Sequence, residues 1–148
     1  MNRTTYNDII KAFRDFCDKH YQIAQCITPT VEADFQTIEN KFPSVVIVPV
    51  ASNMGAGQLS LSFAVIVADI LIADGSNSND LYNDTLEIAK DFVAWFTGSP
   101  ELDWSIGDEV SIEPFAEKYD DYLAGWAMQV SVTVPYDHTV CDIPTAIQ

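Results

Sequence analysis

The chain has 148 residues, of which 48% are hydrophobic, and a formal net charge of −15. That length is one domain, able to bury roughly 70% of its unfolded surface, and the composition excludes a disordered chain. The charge excludes a conventional nucleic-acid binder: residues 1–68 carry six acids and five bases, whereas residues 69–148 carry sixteen acids against Lys90 and Lys118, a field that repels phosphates at long range.

From about Thr5 to His20, Tyr6, Ile9, Ile10, Phe13 and Phe16 or Cys17 recur on one helical face. With Thr4 or Thr5 as N-cap, this predicts a half-buried helix. Residues 21–43 read as a long connection, because Pro29 stops any helix near Thr28; Phe35 and Ile38 are candidate anchors within it. The β-branched run Ser44–Val48 between Pro43 and Pro49 predicts a short strand at or near an edge. Ala51–Gly57 has loop composition. Beyond it Leu59, Leu61, Phe63, Val65 and Val67 alternate with Ser60, Ser62, Ala64 and Ile66, a strand that closes a hairpin with the one before it.

Asp74–Asp80 predicts a turn ending in helix-capping residues. A second helix follows over about Asp80–Phe96, with Leu81, Tyr82, Thr85, Leu86, Ala89, Phe92, Val93 and Phe96 as its buried stripe; Gly98 and Pro100 end it. Leu102, Trp104 and Ile106 then alternate, and Val110 and Ile112 resume the alternation before Pro114. Phe115–Tyr122 reads as a connection into a long strand with Trp126, Met128, Val130, Val132 and Val134 on one face. The expected fold is an α+β two-layer sandwich in the order α-β-β-α-β-β. Its antiparallel sheet has about four main strands, with two helices on one face. Residues 1–135 form the single domain, and 136–148 an extended tail.

The residues give little support to chemistry. Phe63–Ala73, the longest apolar stretch, is eleven residues and contains Asp69, against the roughly 20 that a membrane span needs. The opening Met1–Tyr6 has no apolar signal core. Cys17, Cys26 and Cys141 are odd in number and lack CxxC spacing, which reads as free thiols in a reducing compartment. Asp74, Ser76, Ser78 and Asp80 have the alternate spacing of a calcium loop, but Thr85 stands where the bidentate glutamate belongs, so a capped turn is the better reading. Asp120 and Asp121, with Glu113 and Glu117 nearby, form an acidic loop with only Lys118 to hold a phosphate. His20 and His138 stand in no zinc or nucleophile motif, and no phosphate-cradling glycine loop occurs. No enzyme, metal or cofactor is expected.

Aromatics are dense in the predicted connection and its exit. Tyr119, Tyr122 and Trp126 either pin the loop to the sheet or supply a protein–protein contact of large area and low entropic cost. The phrase Tyr119-Asp120-Asp121-Tyr122-Leu123-Ala124-Gly125-Trp126, within Glu113–Tyr136, resembles virion proteins of tailed phages. So does the opening, where a helix ends near Lys19-His20-Tyr21-Gln22-Ile23 and Phe42-Pro43 enters a strand stopping at Val48-Pro49. Together, over residues 5–136, they resemble tail-completion, tail-terminator and head–tail connector (neck-ring) proteins, including those of crAss-like phages. Cys26–Asn40 departs from that pattern in lacking a glycine-rich turn.

The resemblance implies a virion structural protein made in the host cytoplasm. It implies a homo-oligomeric ring, sixfold or twelvefold, stacked against portal, connector or tail proteins, with an axial channel through which DNA passes without specific binding. Asp108, Glu109, Glu113, Glu117, Asp120 and Asp121 are the candidates for an acidic channel or ring face. Asn53, Met54, Tyr119, Tyr122, Trp126 and Tyr136 are the candidates for inter-subunit contact, with the Asn53–Gln58 loop and the 135–148 tail as clasps. Two other readings stand beside this one: an acidic DNA mimic that inhibits a host DNA-binding enzyme, and a small ligand-binding α+β domain.

Overall fold

A computed structural model describes residues 4–28, 42–55, 57–72, 75–98, 102, 104, 106–107, 110–118 and 122–135. The first helix, α1 (Tyr6–Lys19), starts where expected. Thr5 accepts from the Asp8 backbone at 3.2 Å, and the Asp8 carboxylate accepts from the Thr5 backbone at 2.9 Å. This reciprocal capping box holds the Asp8 carboxyl below its ordinary range, chiefly through the Thr5 backbone hydrogen bond. Ile9, Phe13, Phe16 and Cys17 are the buried stripe.

After α1 come β1 (Gln25–Ile27), β2 (Ser44–Gly55), β3 (Gln58–Ile70), α2 (Ser78–Gly98), β4 (Ser111–Lys118) and β5 (Tyr122–Pro135). Among the described residues the sheet order is β1-β2-β3-β5-β4, and only the β1–β2 pair is parallel. The α+β class and the helix and hairpin order therefore stand, but the sheet has five strands, not about four. The extra strand, β1, lies in the expected connection. Three residues with no alternation give no periodic signal; the strand exists because it lies beside Ser44–Val46. The Ala24 N–H donating to the Pro43 carbonyl at 2.9 Å fixes its approach.

Two further expectations are corrected. The loop composition of 51–55 belongs to strand, since β2 runs to Gly55 in register with Gln58. The connection expected from Phe115 is mostly strand as well, because β4 passes through Pro114 to Lys118 opposite Tyr122. Pro114 is tolerated there because β4 is outermost among the described strands, where a missing N–H need cost no ladder bond. Conversely, Leu102 and Trp104 lie in no strand, and Ile106 makes only an isolated bridge to Val132. Their alternation serves instead to bury Trp104, stacked on Phe96 at 5.6 Å, and Ile106.

Both helices share one core over one face of the sheet. Phe13 is fully buried at its centre, meeting Phe63, Phe92, Phe96 and Trp104 at centroid distances of 5.0–5.8 Å. Three of those contacts are edge-to-face, the geometry that aromatic quadrupoles favour. The stripe of α2 includes Ile88, which the expected stripe omitted, while Tyr82, Leu86 and Val93 are only half-buried.

Candidate functional site

Phe42 to Ala68 contains no charged residue, in a chain of net charge −15. That run forms the β2–β3 hairpin, whose far end stands clear of the core. Ala51 to Gly55, Gly57 and Gln58 are all exposed, and Met54 keeps 63% of its surface open to solvent. The register shifts between Val50 and Asn53, and such a bulge bends a strand and increases its twist. Ser52 secures the irregularity: its hydroxyl donates to the Val50 carbonyl and accepts from the Ser62 N–H, both at 3.0 Å. Gly57, at φ +78°, turns the chain where a side chain would be strained.

β1 covers only Ser44–Val46, so no described strand lies on the outer side of β2 from Ile47 to Gly55. Pro49 and the bulge interrupt that edge and limit indiscriminate pairing. Asn53 and Met54, two of the expected contact residues, thus sit together at the end of a neutral, projecting arm.

At the opposite edge of the sheet, Leu86, Ala89, Lys90, Val93 and Ala94 of α2 face Val110, Ile112 and Met128 across a cleft of about 320 Å³. Ile112 leaves 38% of its surface exposed. Sequence reasoning missed this groove, because its walls come from α2 and from β4 and β5, and no local spacing joins them. Glu113, exposed, follows Ile112 on β4 and pairs with Ala127. Glu117 pairs with Leu123 on the same strand. Of the other acidic candidates, Asp108, Glu109, Asp120 and Asp121 lie outside the described residues, as do Tyr119, Tyr136 and the 136–148 tail. Tyr122 opens β5 opposite Lys118.

Trp126 is half-buried and turned into its own chain. Its Nε1–H donates to the Tyr82 carbonyl at 2.9 Å, and its ring meets the Tyr82 ring edge-on at 5.9 Å. This is the pinning alternative for that aromatic. His20 is likewise a brace between the helices. Nε2 lies 2.8 Å from an Asp91 carboxylate oxygen, and Nδ1 accepts from the Gln22 N–H at 3.1 Å. Phe16, Lys19 and Trp95 flank it, with Lys19 Nζ 5.9 Å from the Trp95 ring centre. Among the described residues no group of three or more potential ligands could hold a metal ion, and no helix is long and apolar enough to cross a membrane.

The architecture is an α+β sandwich with an open, mostly antiparallel sheet. No family model and no curated protein matches the chain. Nineteen chains among solved structures do. One is similar over 92% of this chain and 100% of its own, with a TM-score of 0.51 and 16% identity. Its name describes no activity, and at that identity the likeness speaks for the fold alone.

Proposed function

We propose that this protein is a structural subunit of a tailed-phage virion. In this reading it is a ring-forming connector or tail-completion protein, not an enzyme. Each copy lays its uncharged β2–β3 arm on the next and seats Met54 in the groove between α2 and β4. The contact uses different surfaces on the two partners, and such head-to-tail contacts generate rings when the rotation closes.

The observation that carries this reading is the placement of charge. Two copies at −15 each repel one another, and the projecting arm is a long segment able to approach a neighbour without adding like charge. Its exposed Met54 is a flexible apolar knob, and the groove supplies an apolar wall of suitable size. Acidic residues outside the contact, Glu113 among them, then give the ring a surface that DNA passes without sticking. The sixfold or twelvefold symmetry and the neighbours in the stack follow from the sequence resemblance.

Size-exclusion chromatography with light scattering, followed by electron microscopy of the full chain alone and with virion components, tests the proposal. A closed oligomer, or recruitment to a connector or tail ring, is the expected result. A chain that stays monomeric and is absent from particles, yet competes with DNA for a host enzyme, points to the mimic instead.

A further inference from the structure

Cys17 and Cys26 lie apart in sequence, on different elements, yet their thiols meet. Cys17 belongs to the buried stripe of α1, and Cys26, in register with Val45, packs against the same core from β1. α1 packs on β1 here, and the two thiols come within reach of a hydrogen bond that biases the charge of each. The chain between them is held at several points. The His20 N–H donates to the Phe16 carbonyl at 3.1 Å, the Ile23 N–H to the His20 carbonyl at 3.4 Å, and the Ala24 N–H to the Pro43 carbonyl at 2.9 Å. Arg14 of α1 donates to the Thr28 hydroxyl just past β1, a second tie between the two elements.

We propose that Cys17 and Cys26 form a paired-thiol site that closes to an intramolecular disulfide when the protein meets a small-molecule disulfide such as oxidised glutathione. The inference is independent of the assembly reading. The two sulfurs divide the work. Cys26 is the more exposed, and its thiol is held below the usual range chiefly by the Cys17 hydrogen bond, with Arg14 contributing. Cys17 is 3% exposed, and its thiol is pushed up first by that same hydrogen bond and then by burial.

The Cys26 thiolate attacks one sulfur of the small disulfide, forming a mixed disulfide and releasing one thiolate. Capping Cys26 removes the negative partner that kept Cys17 protonated. Cys17 then passes its proton to the released thiolate and attacks the Cys26 sulfur, expelling the second small thiolate, which takes from solvent the proton that Cys26 had released. The protein loses two hydrogens, and one small disulfide becomes two thiols. The product staples β1, a three-residue edge strand, to α1.

The test treats the full chain carrying Cys141→Ser with oxidised glutathione. Intact mass should fall by two hydrogens, and peptide mapping should join Cys17 to Cys26. The thermal midpoint should rise by roughly 5 °C, from closure of a short loop, and return on adding a dithiol reductant. Adding Cys17→Ser should trap glutathione on Cys26, while adding Cys26→Ser should abolish both adduct and closure. A stable glutathione adduct on the chain retaining both cysteines, or no reaction at Cys26 with Cys17→Ser, overturns the proposal. If either serine variant fails to fold, the mass and mapping of the Cys141→Ser chain alone decide it.

Discussion

The Trp126 indole donates to the Tyr82 carbonyl at 2.9 Å, while the Tyr82 hydroxyl donates to the Phe115 carbonyl at 3.1 Å. These two side chains tie α2 to both strands of the terminal hairpin. Trp126→Phe keeps an aromatic ring beside Tyr82 but removes the donor. Urea unfolding should show a loss of about 1–2 kcal/mol with an unchanged m-value, and Tyr82→Phe should cost about 1 kcal/mol. A neutral result for both would mean that the brace is incidental.

Gly125 lies where β5 crosses close to β3. A Cβ there would stand 1.9 Å from the Val67 carbonyl oxygen, a contact that only backbone movement relieves. Gly125→Ala is therefore expected to destabilise the fold by about 3 kcal/mol. Gly98→Ala, with nothing within 4 Å of the added carbon, should change stability by no more than about 0.5 kcal/mol. Paired chemical denaturation of the two variants checks the contrast.

Met54→Asp places a charge on an exposed residue of the neutral arm, so monomer stability should hardly change. Assembly should weaken at least tenfold by light scattering, and Ile112→Asp in the groove wall should do the same. Raising salt should strengthen assembly of the unmodified chain, because screening weakens the repulsion between acidic copies more than it weakens apolar contact. Assembly that ignores both substitutions places the interface elsewhere.

Asp69 sits partly buried near the end of β3, and burial first, then nearby Asp84, pushes its carboxyl above the ordinary value of 3.8. The folded state thus holds this proton where the unfolded chain has released it. The penalty is absent below the unfolded value, grows as pH rises through the raised folded value, and is complete above it. Asp69→Asn keeps an oxygen able to accept the Ile70 N–H, now bonded at 2.8 Å. It should raise the thermal midpoint at neutral pH by about 2 °C, and the gain should vanish on acidification below the carboxylate range. A gain independent of pH would assign the effect to something other than titration.

Alternation made β3 and β5 legible because each buries one face: Phe63, Val65 and Val67 face the helices, as do Met128, Val130, Val132 and Val134. The α1 stripe was legible for the same reason at helical spacing. At 102–106 the same periodicity misled, because Trp104 and Ile106 reach the core from a segment whose described residues join the sheet through one bridge. The exposure of Asn53 and Met54 was legible from the loop composition around them, although the strand that carries them was not, since polar and glycine residues on a projecting arm resemble a loop.

The order of covalently adjacent patterns determined the two helices, the hairpins and the concentration of net negative charge in the second half of the chain. Each of those is a local property, readable from which residues can share a face or repel a neighbour. The position of β1 beside β2, the groove between α2 and β4, and the meeting of Cys17 with Cys26 were decided only in three dimensions. They depend on how separate elements close around Phe13, and no spacing along the chain encodes the distance between side chains that the chain itself keeps apart.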